Sequence, residues 1–175
     1  PAAAAAAARV GVVKVTLLSP WPAAALEAAL PRSAAQRHLL LALPQGSADA
    51  ALLASLPAGV YTAQVGGGQG IVLAELYGVP AAGEAPGSRR FTNASTRTTV
   101  APEAALIAGF VISGTAPQRV LIRAVGPTLG NAPFNVPGVL ANPQLNLFRG
   151  ATLVRTNDDW FRDPEANLIR EAAAA

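Results

Sequence analysis

The sequence contains no cysteine, so neither a disulfide framework nor a cysteine-ligated metal site can form. It has a single histidine, His38, which cannot supply a histidine-based metal cluster. A Ser-His-Asp triad would depend on that one residue, and no Gly-x-Ser-x-Gly motif marks a nucleophile. We therefore predict that the protein has no catalytic residues, needs no cofactor for catalysis and is not an enzyme.

Charged residues are also scarce, at 13% of the chain with a formal net charge of +3, where soluble domains carry roughly 25%. The basic residues are spread along the chain with few aromatic residues near them, which argues against a nucleic-acid surface. No run of about 18 apolar residues remains once the alanine tracts are discounted, so we expect no membrane span. A surface so poor in charge favours a subunit of an assembly over a freely diffusing monomer.

What the sequence does contain is a set of β-strand signals, and one pair of segments is the strongest. Residues 106–112 and 120–125 are apolar and rich in β-branched side chains, and the turn cluster SGTAP at 113–117 joins them. We predict that they form a hairpin at the centre of an all-β fold, an antiparallel two-sheet β-sandwich with jelly-roll or Greek-key-like connections. Val120 and Ile122 share one face of the second strand, and we expect that face to meet the core.

Further strands are predicted from short apolar or alternating runs bounded by glycine, proline or asparagine. These strands are 49–56, 60–65, 71–77, 90–100, 144–148 and 151–155. We expect the first two to pair as a hairpin around PAG at 57–59, and the last two to pair around Arg149-Gly150. The Pro/Gly-rich residues 78–88 are predicted to link two sheet-forming halves.

The first 43 residues are treated as an N-terminal arm that holds one strand, at 10–18, and a short alanine-rich helix at 23–30. Prolines on both sides of Trp21 separate this strand from the sandwich, which we expect over residues 44–160. The strand either begins the sandwich or adds itself to the sheet of a neighbouring subunit. In the second case, the residues that mediate assembly are Val10, Val12, Val13, Val15 and Leu17.

One acidic cluster precedes a predicted C-terminal helical tail at 161–175, and its members are Asn157, Asp158, Asp159 and Asp163. One interpretation is a metal site, because Ca²⁺ takes several oxygen ligands and these residues lie close together. The spacing does not match an EF-hand. The other interpretation is that the cluster caps turns and the following helix, with Asp163 as N-cap and Pro164 at the first helical position.

Three strings together carry a resemblance to a known family: LPAGVYTAQV at 56–65, LIAGFVISGTAPQRVLIRAVGPTL at 106–129, and NPQLNLFRG followed by TNDDW within 142–160. The chain resembles repeat-type β-sandwich modules of large secreted and cell-surface proteins of environmental bacteria. It is more distantly similar to bacterial pre-peptidase C-terminal domains, which are β-sandwiches. The resemblance implies a secreted or cell-surface location and no catalysis. It does not extend well to the first 43 residues.

In tandem members of that family, the segment after NDDW leads through a helix into the LPxGSxDAALL strand of the next module. Here the corresponding LPQGSADAALL begins at residue 43, near the front of the chain, and NDDW stands near its end. The resemblance therefore implies that each copy begins and ends partway through the repeat. Such an arrangement suits subunits joined head to tail.

Two functions follow as expectations. The first is a structural protein whose partners are copies of itself, polymerised into a filament or surface assembly by strand donation. The second is a binding or adhesion module of a larger secreted protein, which would use polysaccharide or calcium. Aromatic side chains for stacking on sugars are few, and the Trp and Tyr residues are Trp21, Tyr61, Tyr77 and Trp160.

Overall fold

The computed structural model describes residues 13–17, 43–79 and 93–174, with residues 13–17 described as backbone. The predicted helix at 23–30, together with Val10, Val12, Trp21 and His38, lies outside the described residues. The strands are β1 (Val13–Leu17), β2 (Ala50–Leu56), β3 (Gly59–Gly66), β4 (Gly70–Val79), β5 (Asn93–Val100), β6 (Leu106–Ile112), β7 (Gln118–Val125), β8 (Gln144–Arg149) and β9 (Thr152–Asn157). Two helices, α1 (Pro127–Gly130) and α2 (Ala166–Ala174), and a 3₁₀ turn at Trp160–Arg162 complete the described elements.

The strands form two antiparallel sheets, which confirms the predicted all-β sandwich. Sheet A has the order β1-β6-β3-β8-β9, and sheet B has the order β2-β7-β4-β5. The seven pairings between the described strands are all antiparallel. Strands that follow each other along the chain lie in different sheets more often than they pair within the same sheet.

The predicted hairpins do not all form. Strands β6 and β7 lie in different sheets, and the same is true of β2 and β3. The connections SGTAP and PAG are thus arches between sheets, because a Gly/Pro turn can end a strand in either geometry. The last predicted pair does form a hairpin, with β8 and β9 joined at Gly150, whose φ is 58°.

The Pro/Gly-rich linker does not separate two halves. The strands on either side of it, β4 and β5, pair with each other from Gly70↔Val100 to Tyr77↔Asn93. Sheet B is therefore continuous across the linker. A linker of this composition is compatible with a long connection inside one sheet, since polar and glycine-rich loops run over the surface.

The main core lies between the sheets and is built from the inward faces of strands β2 to β8, whereas β9 contributes no residue to it. Val120 and Ile122 belong to it, as their alternation predicts. A fully buried residue of this type contributes about 1.5–3 kcal/mol. The largest side chains in this core are Leu52, Leu56, Tyr61, Leu76, Leu106, Phe110, Ile112, Ile122, Leu140, Leu145 and Leu147.

A second apolar cluster covers the other face of sheet B. Leu53 and Leu121 pack there with Trp160 and with Ile169 of α2, and all of them are buried. As a result, β7 is buried on both faces from Val120 to Val125. The C-terminal tail is thus part of the folded body, where it forms a third layer over sheet B.

Candidate assembly site at the sheet edges

Strand β1 lies at one edge of sheet A, where it pairs with β6. The register runs antiparallel from Val13↔Ile112 to Leu17↔Ala108. Residues directly opposite each other in an antiparallel pair share a face of the sheet. Val13, Val15 and Leu17 therefore stand on the core-facing side of the ladder. Of the five predicted assembly residues, the structure brings these three to one edge of the sandwich.

The β2 edge of sheet B behaves differently, because side chains of β9 and a backbone N–H of the 3₁₀ turn after it bind this edge. Asp49, directly before β2, and Ala51 and Leu53 within it carry the backbone groups that point away from β7, since alternate residues of an antiparallel edge strand face outward. The Asp49 carbonyl accepts from the Trp160 N–H at 3.0 Å. The Ala51 N–H donates to Asn157 Oδ1 at 3.0 Å, and the Leu53 carbonyl accepts from an Arg155 guanidinium N–H at 2.8 Å. We call Arg155, Asn157 and Trp160 the β2 edge clamp.

The acidic cluster supports this clamp. Both carboxylate oxygens of Asp163 accept hydrogen bonds from Arg155, at 3.2 and 3.3 Å, and Glu165 accepts another from the same guanidinium at 2.6 Å. Asn157 Nδ2 donates to the Asp159 carbonyl at 3.2 Å and to Asp163 at 3.4 Å. These contacts orient the two side chains that reach β2.

The predicted calcium ligands are thus placed as follows. Asp163 binds Arg155 and also accepts from the Glu165 N–H at 2.8 Å, but it stands at the end of the 3₁₀ turn, and α2 begins at Ala166, not at Pro164 as predicted. Asp159 pairs with Arg162 at 3.3 Å, and Asp158 is exposed. Within residues 43–79 and 93–174, no group of three or more His, Cys, Asp or Glu side chains is arranged to hold a metal ion. Calcium binding by this cluster stays a prediction.

A second buried carboxylate, which the sequence patterns did not single out, joins two of the motifs. Asp49 is fully buried at the start of β2. Its oxygens accept from the Gly126 N–H at 2.9 Å, the Thr128 N–H at 3.3 Å and the Thr128 hydroxyl. The Ser47 hydroxyl donates to it as well, at 2.8 Å. Asp49 of LPQGSADAALL therefore anchors the GPT segment that follows β7.

The outward face of sheet B also carries a buried ion pair. Arg123 and Glu75 approach to 3.3 Å with both side chains nearly inaccessible to solvent, and the Tyr77 hydroxyl donates to Glu75 at 2.7 Å. Burial raises the pKa of the Glu75 carboxyl, against the opposing effect of the Arg123 charge and the Tyr77 hydrogen bond. Burial, followed by the nearby Glu75 charge, raises the pKa of the Tyr77 hydroxyl. The pair is a feature of the packed interior.

The outer face of sheet A, in contrast, exposes apolar side chains. The most exposed are Val60 at 64%, Leu153 at 51%, Val154 at 42% and Ile107 at 39%. Val154 is the unpaired residue of the β-bulge at which β8 and β9 change register, and Leu153 precedes it. The strands of sheet A are held together by hydrogen bonds, but their outer face has much less apolar packing than the outer face of sheet B.

The elements and edges together define the class of the protein: an antiparallel two-sheet β-sandwich with a third, helical layer on one sheet and an added strand on the other. Neither described helix is long and apolar enough to cross a membrane. Comparisons with protein-family models, with curated proteins and with solved structures find no match to this chain.

Proposed function

We propose that this protein is a non-enzymatic structural subunit of an extracellular or cell-surface filament, joined head to tail by strand donation. Residues 10–18 of one copy would add to the β6 edge of the next copy. The observation that carries the proposal is the position of β1, which is an edge strand whose partner is β6. An edge strand is the element that can be exchanged between copies with the fewest other contacts changed.

The chain length between β1 and the sandwich permits such an exchange. Residues 18–42 connect β1 to the first described residue of the sandwich. A fully extended chain of that length spans at most about 80 Å, at roughly 3.3 Å per residue. A connection of this length can return the strand to its own sheet or deliver it to a neighbour. Both arrangements satisfy the same backbone groups of β6.

The β2 edge clamp gives the proposed assembly a direction. Because Trp160, Asn157 and Arg155 bind the outward groups of β2, that edge has little capacity to accept a further strand. Strand addition is thereby favoured at β6 over β2. A contact between two different surfaces that does not close on itself generates an open fibre.

Within the described part of the chain, several side chains that the alternative would use, as an adhesion module that binds polysaccharide or calcium, are engaged in the fold. Trp160 is fully buried and Tyr61 is 1% exposed, so neither offers a ring face for stacking on sugars. Asp163 and Asp159 pair with arginines. These contacts favour the structural function over the alternative.

Deletion of residues 1–21 tests the proposal, with deletion of residues 1–8 as the matched control that keeps the strand. Circular dichroism checks that each product is folded, and size exclusion and electron microscopy measure the assemblies. We expect filaments from the control and only short or monomeric species from the longer deletion. Assemblies of unchanged length after removal of residues 1–21 would contradict strand donation.

A further inference from the structure

Strand β5 (Asn93–Val100) forms the edge of sheet B opposite β2, and it pairs with β4. Within residues 43–79 and 93–174, no second strand lies on its outer side, and no side chain binds that side as the β2 edge clamp binds β2. An edge strand of this kind presents backbone N–H and C=O groups that can pair with another chain. We call the outer side of this strand the β5 edge.

The contacts of β4 show which backbone groups of β5 point outward. The Ile71 N–H donates to the Gly138 carbonyl and the Ile71 carbonyl accepts from the Leu140 N–H, both at 2.8 Å. Both Ile71 groups therefore point away from β5. Ile71 is opposite Thr99 in the register, and opposed residues of an antiparallel pair exchange both hydrogen bonds or neither, so Thr99 and the alternate residues before it face outward. These residues are Asn93, Ser95, Arg97 and Thr99.

The β5 edge lacks the features that protect many edge strands against pairing, such as proline, lysine, a bulge or a very short strand. The strand has eight residues and contains neither proline nor lysine. It pairs with β4 in one continuous register, from Val100 to Asn93, without a bulge. Its one charged residue is Arg97. The β5 edge is therefore able to accept an added strand along its length.

The sequence of β5 is complementary to itself in one antiparallel register. Two copies of β5 related by a two-fold axis at Thr96 place Asn93 of one copy opposite Thr99 of the other, and Ser95 opposite Arg97. All four outward-pointing residues of each copy then have a partner. Thr96 faces Thr96 of the second copy, and cross-strand threonine pairs stabilise antiparallel strands.

The neighbouring registers are poorer. A shift by two residues in one direction puts Arg97 opposite Arg97 of the second copy, and like charges directly opposite each other are destabilising. A shift by two residues in the other direction puts Ser95 opposite Ser95. Either shift also leaves one outward-pointing residue of each copy without a partner, which is Asn93 in the first case and Thr99 in the second.

We propose that the β5 edge pairs with the β5 edge of a second copy of this chain in the register centred on Thr96. The two four-stranded sheets B then become one eight-stranded sheet. A contact made by the same surface on both subunits closes on itself, so it joins subunits in pairs. In a filament built by strand donation, it would join two filaments side by side. Pairing at β5 does not depend on strand donation, because β5 and residues 10–18 are separate segments.

Cysteine pairing between full-length copies tests this contact, since the native chain has no cysteine. An Asn93→Cys chain with a size tag is mixed with an untagged Thr99→Cys chain, dissociated, reassociated and oxidised. The matched mixture uses Ser95→Cys in place of Asn93→Cys, and both mixtures keep Arg97. Directly opposed residues have Cα atoms about 5.5 Å apart, within reach of a disulfide, whereas residues two positions out of register are about 7–8 Å apart. We expect the tagged-to-untagged dimer mainly from Asn93→Cys with Thr99→Cys.

The other outcomes each overturn part of the proposal. A dimer that forms best with Ser95→Cys would overturn the register, and the absence of a mixed dimer in both mixtures would overturn pairing at the β5 edge. A third mixture, of Thr99→Cys with Thr16→Cys, asks whether the arm strand occupies this edge, and a dimer found only there would overturn self-pairing. Strand donation is measured separately, by assembly length after deletion of residues 1–21, so either proposal can fail without the other.

A proline substitution gives a second test with the same cross-link. Arg97→Pro removes an outward-pointing N–H and leaves the ladder to β4 intact, since proline is tolerated in an edge strand where its nitrogen faces solvent. Arg97→Thr is the matched control, because it removes the charge and keeps the N–H. Placed in both chains of the Asn93→Cys and Thr99→Cys mixture, Arg97→Pro should lower the dimer yield about tenfold relative to Arg97→Thr. Circular dichroism checks that each variant is folded. Equal yields from the two variants would contradict pairing through the backbone of β5.

Discussion

Sheets A and B differ in how completely they are covered. In sheet B, β7 is buried on both faces from Val120 onward, and β2 is buried at every residue except Ser55. In sheet A, β3 and β6 bury one face and leave apolar residues such as Val60 and Ile107 exposed on the other. Sheet B therefore resembles the interior of a domain, and sheet A offers one surface and one edge for contact with other molecules.

The β2 edge of sheet B and the β6 edge of sheet A also differ in how they are covered. The β2 edge is bound by side chains of the same folded body, each directed by its own supporting contacts. The β6 edge is covered by a strand whose link to the sandwich is 18–42, a long stretch of chain. The β2 edge is therefore protected against further strand pairing by the folded body, whereas β6 is covered by a single strand.

The largest expected effect comes from the buried ion pair of sheet B. Glu75→Leu leaves the Arg123 guanidinium facing an apolar side chain, and loss of one partner of a buried pair costs about 3–5 kcal/mol. The double variant Glu75→Leu/Arg123→Met should lose less, because no buried charge remains. Urea unfolding measures both. Glu171→Gln, at an exposed site on α2, is the control and should be close to neutral.

If Glu75→Leu and Glu171→Gln changed the free energy of unfolding equally, the view of sheet B as a fully packed interior would be wrong. The same conclusion would follow if the double variant lost as much stability as the sum of its two single variants.

A smaller effect is expected at the β2 edge clamp. Asn157→Ala removes the acceptor of the buried Ala51 N–H, and an unsatisfied buried donor costs about 1–3 kcal/mol. Asn146→Ala is the matched control, since the Asn146 amide oxygen accepts from the Thr156 hydroxyl at an exposed position. Thermal unfolding and hydrogen exchange at Ala51 are the measurements. A larger loss from Asn146→Ala than from Asn157→Ala would show that the clamp is not what holds this edge.

The smallest effect on stability is expected on the outer face of sheet A. Val60→Thr keeps a β-branched side chain at a site that is 64% exposed, so the free energy of unfolding should change by less than about 0.5 kcal/mol. Val65→Thr, at a buried site on the same strand, is the matched comparison and should cost clearly more because it buries a hydroxyl. Equal losses from the two would mean that this face is packed in solution.

Strand positions could be predicted from the sequence, but strand partners could not. Alternation places Val120 and Ile122 on one face, and that face meets the core. The partner of β7 is not β6, however, because the connection at 113–117 crosses between sheets. A turn composition restricts backbone angles over a few residues, whereas the choice between a hairpin and an arch depends on what the rest of the chain packs against.

The location of the candidate site could be predicted from the sequence better than the contacts its side chains make. The cluster around Asn157 was identified from its acidic composition, but its cationic partner is Arg155 of the preceding strand. Asp49 was not identified, although a carboxylate directly before the apolar run of β2 was an available signal, since a buried charge needs partners. Those partners, Gly126 and Thr128, are about 80 residues away and are brought near only by folding.

The sequence by itself determined the class of the fold and which side chains of a strand share the face that meets the core. These depend on local preferences: β-branched residues, a side-chain period of two, and proline or glycine at the turns. Only the tertiary structure decided that β1 lies on β6, that the β2 edge is clamped and that an apolar cavity is left between the two sheets. The reason is physical, because edges and cavities are created where distant segments meet, and no single segment encodes the space left between them.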